Sequence, residues 1–232
     1  MQQMFSGIAP RYDLINHVLS LNIDRGWRKS LIHSLGPVLS RPDAKVLDLC
    51  CGTGDVLLDL QRIAAAQVMG ADFSHPMLIS AQRKAFRKSL QARLFEADAL
   101  ELPLAAESLD AISIAFGFRN LTNYTYGLAE LYRVLKPGGR LAILEFSHPP
   151  GLMTKAAYGM YSRVLLPAIG ALISGSSAAY RYLPASIRNF PRACELRAMM
   201  GQSGFAESGF QLLTGGIAAL HLGTKSAAGG AR

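Results

Sequence analysis

The sequence has few of the features that mark secreted, membrane-spanning or disordered proteins. Its three cysteines, Cys50, Cys51 and Cys194, include an adjacent pair but no C-x-x-C pair, which argues against a disulfide framework or a zinc site. The opening MQQMFSGIAPRYD lacks the charged and apolar regions of a secretory signal. A long uncharged run, residues 164–180, is interrupted by proline and glycine and falls short of the about 20 apolar residues of a membrane span. With 50% hydrophobic and 17% charged residues, the chain is expected to be folded and cytoplasmic.

Positive charge is in excess and unevenly distributed. The chain has 24 Lys and Arg against 16 Asp and Glu, a net charge of +8. Residues 1–45 carry +3 and residues 151–232 carry +6, whereas residues 46–150 carry −1. Basic proteins attract nucleic acids, membrane phosphates or acidic substrates. Residues 1–45 and 151–232 are therefore expected to bind any anionic partner.

Strand-like and helical runs alternate along the middle of the chain, which predicts an α/β fold with a parallel sheet and helices on both faces. Helical stretches at 12–19 and 24–35 precede the first strand. The strand-like runs are 45–49, 68–73, 92–95, 109–116, 140–146, 207–214 and 217–224. Gly215 and Gly216 separate the last two runs, and this spacing indicates a hairpin.

At 232 residues, the chain is expected to form one domain, residues 1–225, with four parts. These parts are a helical cap (1–44), a cofactor-binding core (45–150), an apolar and basic insertion (151–191) and a C-terminal helix with the hairpin (192–225). The apolar stretch of the insertion fits either a buried helix with a small-residue turn or a flap over an apolar ligand. Residues 226–232 are predicted to be a disordered tail.

The segment VLDLCCGTGD, residues 46–55, is the sharpest signal for a ligand site. Gly52 and Gly54 allow a tight turn from strand to helix, and the helix then offers free backbone N–H groups. A dinucleotide fingerprint would have another glycine at position 57, which is Leu57, so NAD is disfavoured. S-adenosylmethionine fits better because its methionine end carries an ammonium and a carboxylate but no phosphate.

Three acids occur at three successive strand ends and support that cofactor. Asp48 suits the methionine zwitterion, Asp72 the ribose hydroxyls and Asp98 the exocyclic amino group of adenine. Each acid alone could be a helix cap or turn residue. Phe73 and Met77 could form an apolar wall against adenine. The predicted cofactor residues are Asp48, Cys51, Gly52, Thr53, Gly54, Asp72, Phe73, Met77, Asp98, Ala99 and Ala115.

From Phe5 to Lys225 the chain resembles the class I methyltransferases, and in particular the ubiquinone/menaquinone biosynthesis C-methyltransferase family. The family's first signature is matched at Tyr12, Asp13, Asn16, Ser20 and Trp27. Its second is matched by RVLKPGGRLAILEFS, residues 133–147. Further matching segments are FGFRN at 116–120, YLPASIRNFP at 182–191 and LTGGIAALHLGTK at 213–225. Two departures are Cys50, at the first glycine position of the turn, and Ala115, where some relatives have serine.

The resemblance implies a Rossmann-like, seven-stranded class I fold that uses S-adenosylmethionine and no metal. It implies C-methylation of a prenylated quinol, most specifically demethylmenaquinol to menaquinol. A ubiquinone intermediate and a phytylated naphthoquinol are the alternatives within the family. An RNA methyltransferase is the alternative of another class, but an Asn/Asp-Pro-Pro-aromatic motif is lacking, so no nucleic-acid partner is expected. A catalytically silent scaffold on the same fold is the third alternative.

Methylation of a ring carbon requires a neighbouring hydroxyl to lose its proton, and the resemblance indicates candidates for this step. Arg119, at the carboxyl edge of the sheet, could hold the quinolate oxygen or activate a water; it could also be a structural arginine. Asn120 is a second donor, and Tyr12 could reach the pocket from the cap. His148 is the other candidate base.

A prenyl tail would leave the ring site through the apolar insertion. Basic residues of the insertion and its flank could rest on anionic lipid headgroups; they are Lys155, Arg163, Arg181, Arg188, Arg192 and Arg197. We therefore expect peripheral association with the inner face of the cytoplasmic membrane. A homodimer is also compatible with the sequence.

Overall fold

The computed structural model describes residues 22–151 and 185–226, and seven strands form its central sheet. The strands are β1 (Lys45–Leu49), β2 (Gln67–Asp72), β3 (Arg93–Glu96), β4 (Leu109–Ala115), β5 (Leu135–Phe146), β6 (Phe205–Leu213) and β7 (Ala218–Lys225). Their order in the sheet is β3-β2-β1-β4-β5-β7-β6. Strands β1 to β5 run parallel, and β7 is antiparallel to both β5 and β6. The predicted α/β fold, with its mostly parallel sheet and C-terminal hairpin, is confirmed.

In the described residues, the helices around the sheet include α1 (Ile23–Ser34), α2 (Gly36–Leu39), α3 (Asp55–Ile63), α4 (His75–Arg87), α5 (Tyr124–Val134) and α6 (Ala193–Gln202), and residues 185–189 are also helical. Short 3-10 turns cover Phe118–Asn120 and Thr214–Gly216. Asn22 precedes α1, so Asp24 lies in the first turn of that helix. The helix predicted at 12–19, residues 152–184 of the insertion and tail residues 227–232 lie outside the described residues.

The core has two halves, one on each face of the sheet. Adjacent residues of a strand point to opposite faces, so Val46 and Ala111 pack with α1, α2 and α3. Leu47 and Ile112, one position further along, pack with α5 and α6. Because the central strands are covered on both sides, β4 is mostly apolar at both parities, as its sequence predicted.

Strand β5 begins earlier than the sequence predicted. Leu135 already pairs with Leu109 of β4, and a register shift follows before Ala111 pairs with Arg140. The register shift accommodates Pro137 and the two glycines that follow it within β5.

The strand order leaves a crevice between β1 and β4. The chain leaves β1 toward β2 on one side and leaves β4 toward β5 on the other. Ligands of open α/β sheets bind where the connections diverge in this way, at the carboxyl ends of the strands.

Helices long and apolar enough to cross a membrane are absent from residues 22–151 and 185–226.

Candidate active site

A pocket opens in this crevice, and the predicted cofactor residues come together in its wall. The members that line it are Asp48, Cys51, Gly52, Thr53, Asp72, Phe73, Met77, Asp98, Ala99 and Ala115. Gly54 does not line the pocket. A Cβ on Gly54 would come within 3.0 Å of the Ala81 Cβ, so this glycine lets α3 and α4 approach each other closely.

The turn between β1 and α3 relies on left-handed backbone. Gly52 has φ 53°, Gly54 has φ 84° and Cys50 has φ 55°. A left-handed conformation costs a residue with a Cβ about 1–2 kcal/mol. Cys50 therefore adopts the conformation of the glycine that it replaces in the family pattern, at some cost in strain. Burial raises the pKa of the Cys50 and Cys51 thiols, which keeps both protonated.

Asp72, at the end of β2, ties this turn to the start of α4. Its Oδ2 accepts from the Gly52 N–H at 2.9 Å, and its Oδ1 accepts from the Ser74 N–H at 2.9 Å. Burial raises the pKa of Asp72, and these backbone donors oppose the rise. A carboxylate oxygen has two lone pairs, so each oxygen can accept a further hydrogen bond from a ligand.

Asp48 and Asp98 differ sharply in their surroundings. Asp48 is buried, accepts from the Ser113 hydroxyl at 2.7 Å through Oδ1, and has a second oxygen that is buried without a partner among the described residues. Burial raises the pKa of Asp48 to about 7. Asp98 accepts from the Leu100 N–H at 2.9 Å and so stabilises a local turn. Asp98 therefore both stabilises this turn and lines the pocket.

Arg119 forms a buried ion pair with Glu145. Its Nη1 lies 3.0 Å from Glu145 Oε1 and 3.1 Å from Oε2, and it also donates to the Phe116 carbonyl. Burial raises the pKa of Glu145, and the Arg119 guanidinium and two backbone N–H donors oppose that rise. The guanidinium also lies 5.5 Å from the centre of the Phe146 ring.

The predicted catalytic residues occupy different surroundings. Asn120 lines the pocket, whereas Arg119 and His148 are not among the residues of its wall. Tyr12 lies outside the described residues. The catalytic roles of all four stay predictions.

The pocket wall contains residues that the sequence did not single out. Arg28 comes from α1, Asp55 from the first turn of α3, and Phe116 from the segment after β4. The Phe116 ring packs against Phe146 at a centroid distance of 4.9 Å and against Trp27 at 6.1 Å. No local pattern marks Arg28 as a pocket residue, because only the docking of α1 brings it there.

The pocket fits S-adenosylmethionine. The partnerless oxygen of Asp48 is an acceptor of the kind that an ammonium group requires, and the carboxylates of Asp72 and Asp98 are acceptors of the kind that ribose hydroxyls and an adenine amino group require. Met77, Phe73 and the alanines of the wall provide apolar surface. Within residues 22–151 and 185–226, no three metal-ligating side chains cluster.

The ubiE/COQ5 methyltransferase family model matches residues 1–225. The chain is 48% identical to the Demethylmenaquinone methyltransferase of Thermus thermophilus, covering 96% of this chain and 100% of that protein. It is 46% identical to the protein of the same name from Deinococcus radiodurans, covering 97% and 92%. The Ubiquinone/menaquinone biosynthesis C-methyltransferase UbiE of Syntrophotalea carbinolica is 45% identical, covering 97% and 94%.

Solved structures share the fold at low sequence identity. A possible histamine N-methyltransferase of Thermotoga maritima has a TM-score of 0.64 at 19% identity, covering 97% of this chain and 100% of that one. A phosphoethanolamine N-methyltransferase of Haemonchus contortus in complex with S-adenosyl-L-methionine has a TM-score of 0.64 at 14% identity, covering 86% and 52%. Together with the family match over nearly the whole chain, these findings show that the protein belongs to the ubiE/COQ5 methyltransferase family.

Proposed function

We propose that this protein transfers the methyl group of S-adenosylmethionine to a ring carbon of a prenylated quinol, most specifically converting demethylmenaquinol to menaquinol. The observation that carries the proposal is the 46–48% identity, over nearly the whole chain, to relatives named Demethylmenaquinone methyltransferase. A relative named for both pathways is 45% identical, so a ubiquinone precursor is an alternative substrate. A phytylated naphthoquinol is the other alternative that the resemblance leaves open.

The acids at the strand ends hold and orient the cofactor in this proposal. When bound, S-adenosylmethionine supplies an electrophilic methyl group. Asp72 accepts from the ribose hydroxyls, Asp98 from the adenine amino group, and Asp48 faces the methionine ammonium. Phe73 and Met77 cover the adenine. Fixing the donor in this way contributes to catalysis mainly through positioning.

The substrate ring would occupy the part of the wall after β4. Phe116 offers an aromatic ring and Asn120 an amide donor in the wall of the pocket. A quinol hydroxyl that has lost its proton pushes electron density onto the neighbouring ring carbon. That carbon would form a bond to the methyl carbon while the sulfonium C–S bond breaks and S-adenosylhomocysteine leaves. The methylated ring carbon would then lose its own hydrogen as a proton, which restores the aromatic ring. Asn120 would stabilise the developing quinolate oxygen as a preorganised donor.

Arg119 lies outside the pocket wall and would position the residues that form it. Its bond to the Phe116 carbonyl and its pair with Glu145 hold the segment that carries Phe116 and Asn120. A direct role toward the quinolate is tested by Arg119→Lys, which keeps the charge and loses the planar group of donors. The roles of Tyr12 and His148 as donor and base are further proposals, each tested by substitution in the same assay.

The deciding experiment is transfer of labelled methyl from S-adenosylmethionine to reduced demethylmenaquinol in detergent, with the reduced demethyl ubiquinol precursor in parallel. We expect product from the naphthoquinol. Asn120→Ala should lower kcat by roughly a hundredfold, the usual effect of removing one oxyanion donor, and Gln82→Ala, an exposed change on α4, should leave it unchanged. Cofactor binding without methylation of either quinol would overturn the proposal, and RNA methylation would then be the reaction to test.

The protein would meet its substrate at the inner face of the cytoplasmic membrane as a peripheral protein. Arg188, Arg192 and Arg197 are exposed, and each basic residue near an anionic surface contributes about 1 kcal/mol. Replacing these three by glutamine should weaken flotation with anionic liposomes, leaving neutral liposomes unaffected. Absence of the wild-type protein from both kinds of liposome would contradict this location. The homodimer stays a prediction, to be tested by sedimentation.

A further inference from the structure

The pocket wall has a marked charge imbalance. Four carboxylates line it in the described residues: Asp48, Asp55, Asp72 and Asp98. Arg28 is the one cationic side chain that the described part of the chain contributes to the same wall. A ligand with a carboxylate group would be repelled by these four acids and attracted by Arg28.

The position of Arg28 is set by two carboxylates. Its Nη1 lies 2.5 Å from Asp55 Oδ2 and its Nη2 lies 2.8 Å from Asp24 Oδ2. The Arg28 side chain is 12% exposed. Neighbouring Trp27 fixes α1 against the hairpin, because its Nε1 donates to the Thr214 hydroxyl at 2.8 Å. The guanidinium is therefore held at the pocket before any ligand binds.

Asp55 is shared between two cations. Its other oxygen lies 2.6 Å from Lys84 Nζ. Although burial alone would raise it, Arg28 and Lys84 together lower the pKa of Asp55 to about 2. A guanidinium has five N–H donors, so its two ion pairs leave donors for a third carboxylate.

We propose that Arg28 binds the carboxylate of the methionine moiety of S-adenosylmethionine. This inference rests on the cofactor named in the proposed function. The nucleoside acceptors Asp72 and Asp98 occupy the wall formed by β2 and β3, and Arg28 with Asp55 lies beside the glycine turn, where the zwitterion is expected. Arg28 thus makes α1 a part of the cofactor site.

The test compares S-adenosylmethionine with its decarboxylated analogue, which keeps the ammonium and lacks the carboxylate. Binding of both is measured by calorimetry to the full chain carrying Arg28→Met and to the wild type. The variant should bind S-adenosylmethionine at least about tenfold more weakly, equivalent to about 1.4 kcal/mol. It should bind the decarboxylated analogue as well as the wild type does, or more tightly. Arg28→Lys should recover part of the loss, since a lysine supplies charge without the fork of donors.

Arg62→Met is the matched control, because it removes one positive charge from an exposed site on α3 whose side chain is 49% exposed. It should leave both affinities unchanged. Equal weakening of both ligands by Arg28→Met, or no weakening of either, would overturn the proposal and leave Arg28 a purely structural residue. If Arg28→Met does not fold, the same two-ligand comparison with Arg28→Lys decides. Failure of the proposed function would look different, because the wild type would bind S-adenosylmethionine and methylate neither quinol.

Discussion

We predict that Gly117→Ala destabilises the protein through a single neighbouring side chain, that of Cys50. A Cβ built on Gly117 would lie 2.3 Å from the Cys50 Cβ and 3.1 Å from its Sγ. The backbone at Gly117, with φ −114°, suits any L-residue, so the clash alone decides the outcome. Such overpacking usually costs about 1–3 kcal/mol of the free energy of unfolding.

Cys50→Gly is the compensating change, since it removes both clashing atoms. It also places glycine at φ 55°, which relieves a strain of about 1–2 kcal/mol. The greater freedom of glycine in the unfolded chain offsets roughly 0.5–1 kcal/mol of this gain. We therefore expect a small effect of Cys50→Gly alone. In the Cys50→Gly background, Gly117→Ala should lower the free energy of unfolding by less than about 1 kcal/mol, because the remaining contact of the new Cβ, with Ile114 at 3.6 Å, is ordinary packing.

Urea unfolding of the wild type, the two single variants and the double variant measures this coupling as a double-mutant cycle. Gly26→Ala is the control: its Cβ would meet nothing within 4 Å in the interior of α1, so it should be neutral or stabilising by up to about 1 kcal/mol. Both Cys50 and Gly117 line the pocket, and the affinity for S-adenosylhomocysteine should follow the same pattern. An equal loss of stability from Gly117→Ala with and without Cys50 would refute the reasoning.

Three further predictions follow from the buried polar groups. Asp72→Ala should weaken S-adenosylhomocysteine binding by about 1–3 kcal/mol, the usual effect of losing hydrogen bonds to a charged group; unchanged affinity by calorimetry would exclude the ribose assignment. Glu145→Gln should lower the free energy of unfolding by about 3–5 kcal/mol, since it leaves the Arg119 guanidinium buried without its counter-charge; denaturant unfolding checks this, and a loss below about 1 kcal/mol would contradict it. Burial lowers the pKa of His221 to about 4, so the unfolded chain binds more protons than the folded one below about pH 6.5. The free energy of unfolding therefore includes a contribution from His221 of up to about 3 kcal/mol, which is fully present above about pH 6.5 and is lost as the pH falls to about 4. Urea midpoints at pH 7.5 and 5 should therefore differ less in His221→Leu than in the wild type, and identical pH dependence would argue against it.

Much of the pocket wall could be predicted because its residues sit at fixed points of local patterns. The glycine turn follows a buried strand, Asp72 ends the next strand, and Asp98 lies just after the third. In a parallel sheet the carboxyl ends of neighbouring strands meet at one edge. Residues far apart in the chain are thus brought together by the repeat of strand and helix itself.

The side of the pocket away from Asp72 and Asp98 was less predictable. Arg119 was predicted at the carboxyl edge of the sheet, as a catalytic or a structural arginine, and its partner was not predicted. The structure pairs it with Glu145, 26 residues away, in the buried core. The sequence marked Glu145 as part of a family signature without indicating its partner. Such a pairing depends on which strands are neighbours, and β4 and β5 are placed side by side only by folding.

The sequence alone determined the order of strands and helices, the left-handed turn and the acids at the strand ends. Each of these depends on periodicity or on backbone conformation, which are local properties of a few consecutive residues. Only the tertiary structure decided that β7 lies between β5 and β6, that Cys50 requires a glycine at 117, and that Arg28 reaches the pocket from α1. These features arise from contacts between segments distant in the chain, where shape and charge are matched only after the sheet and its helices have packed.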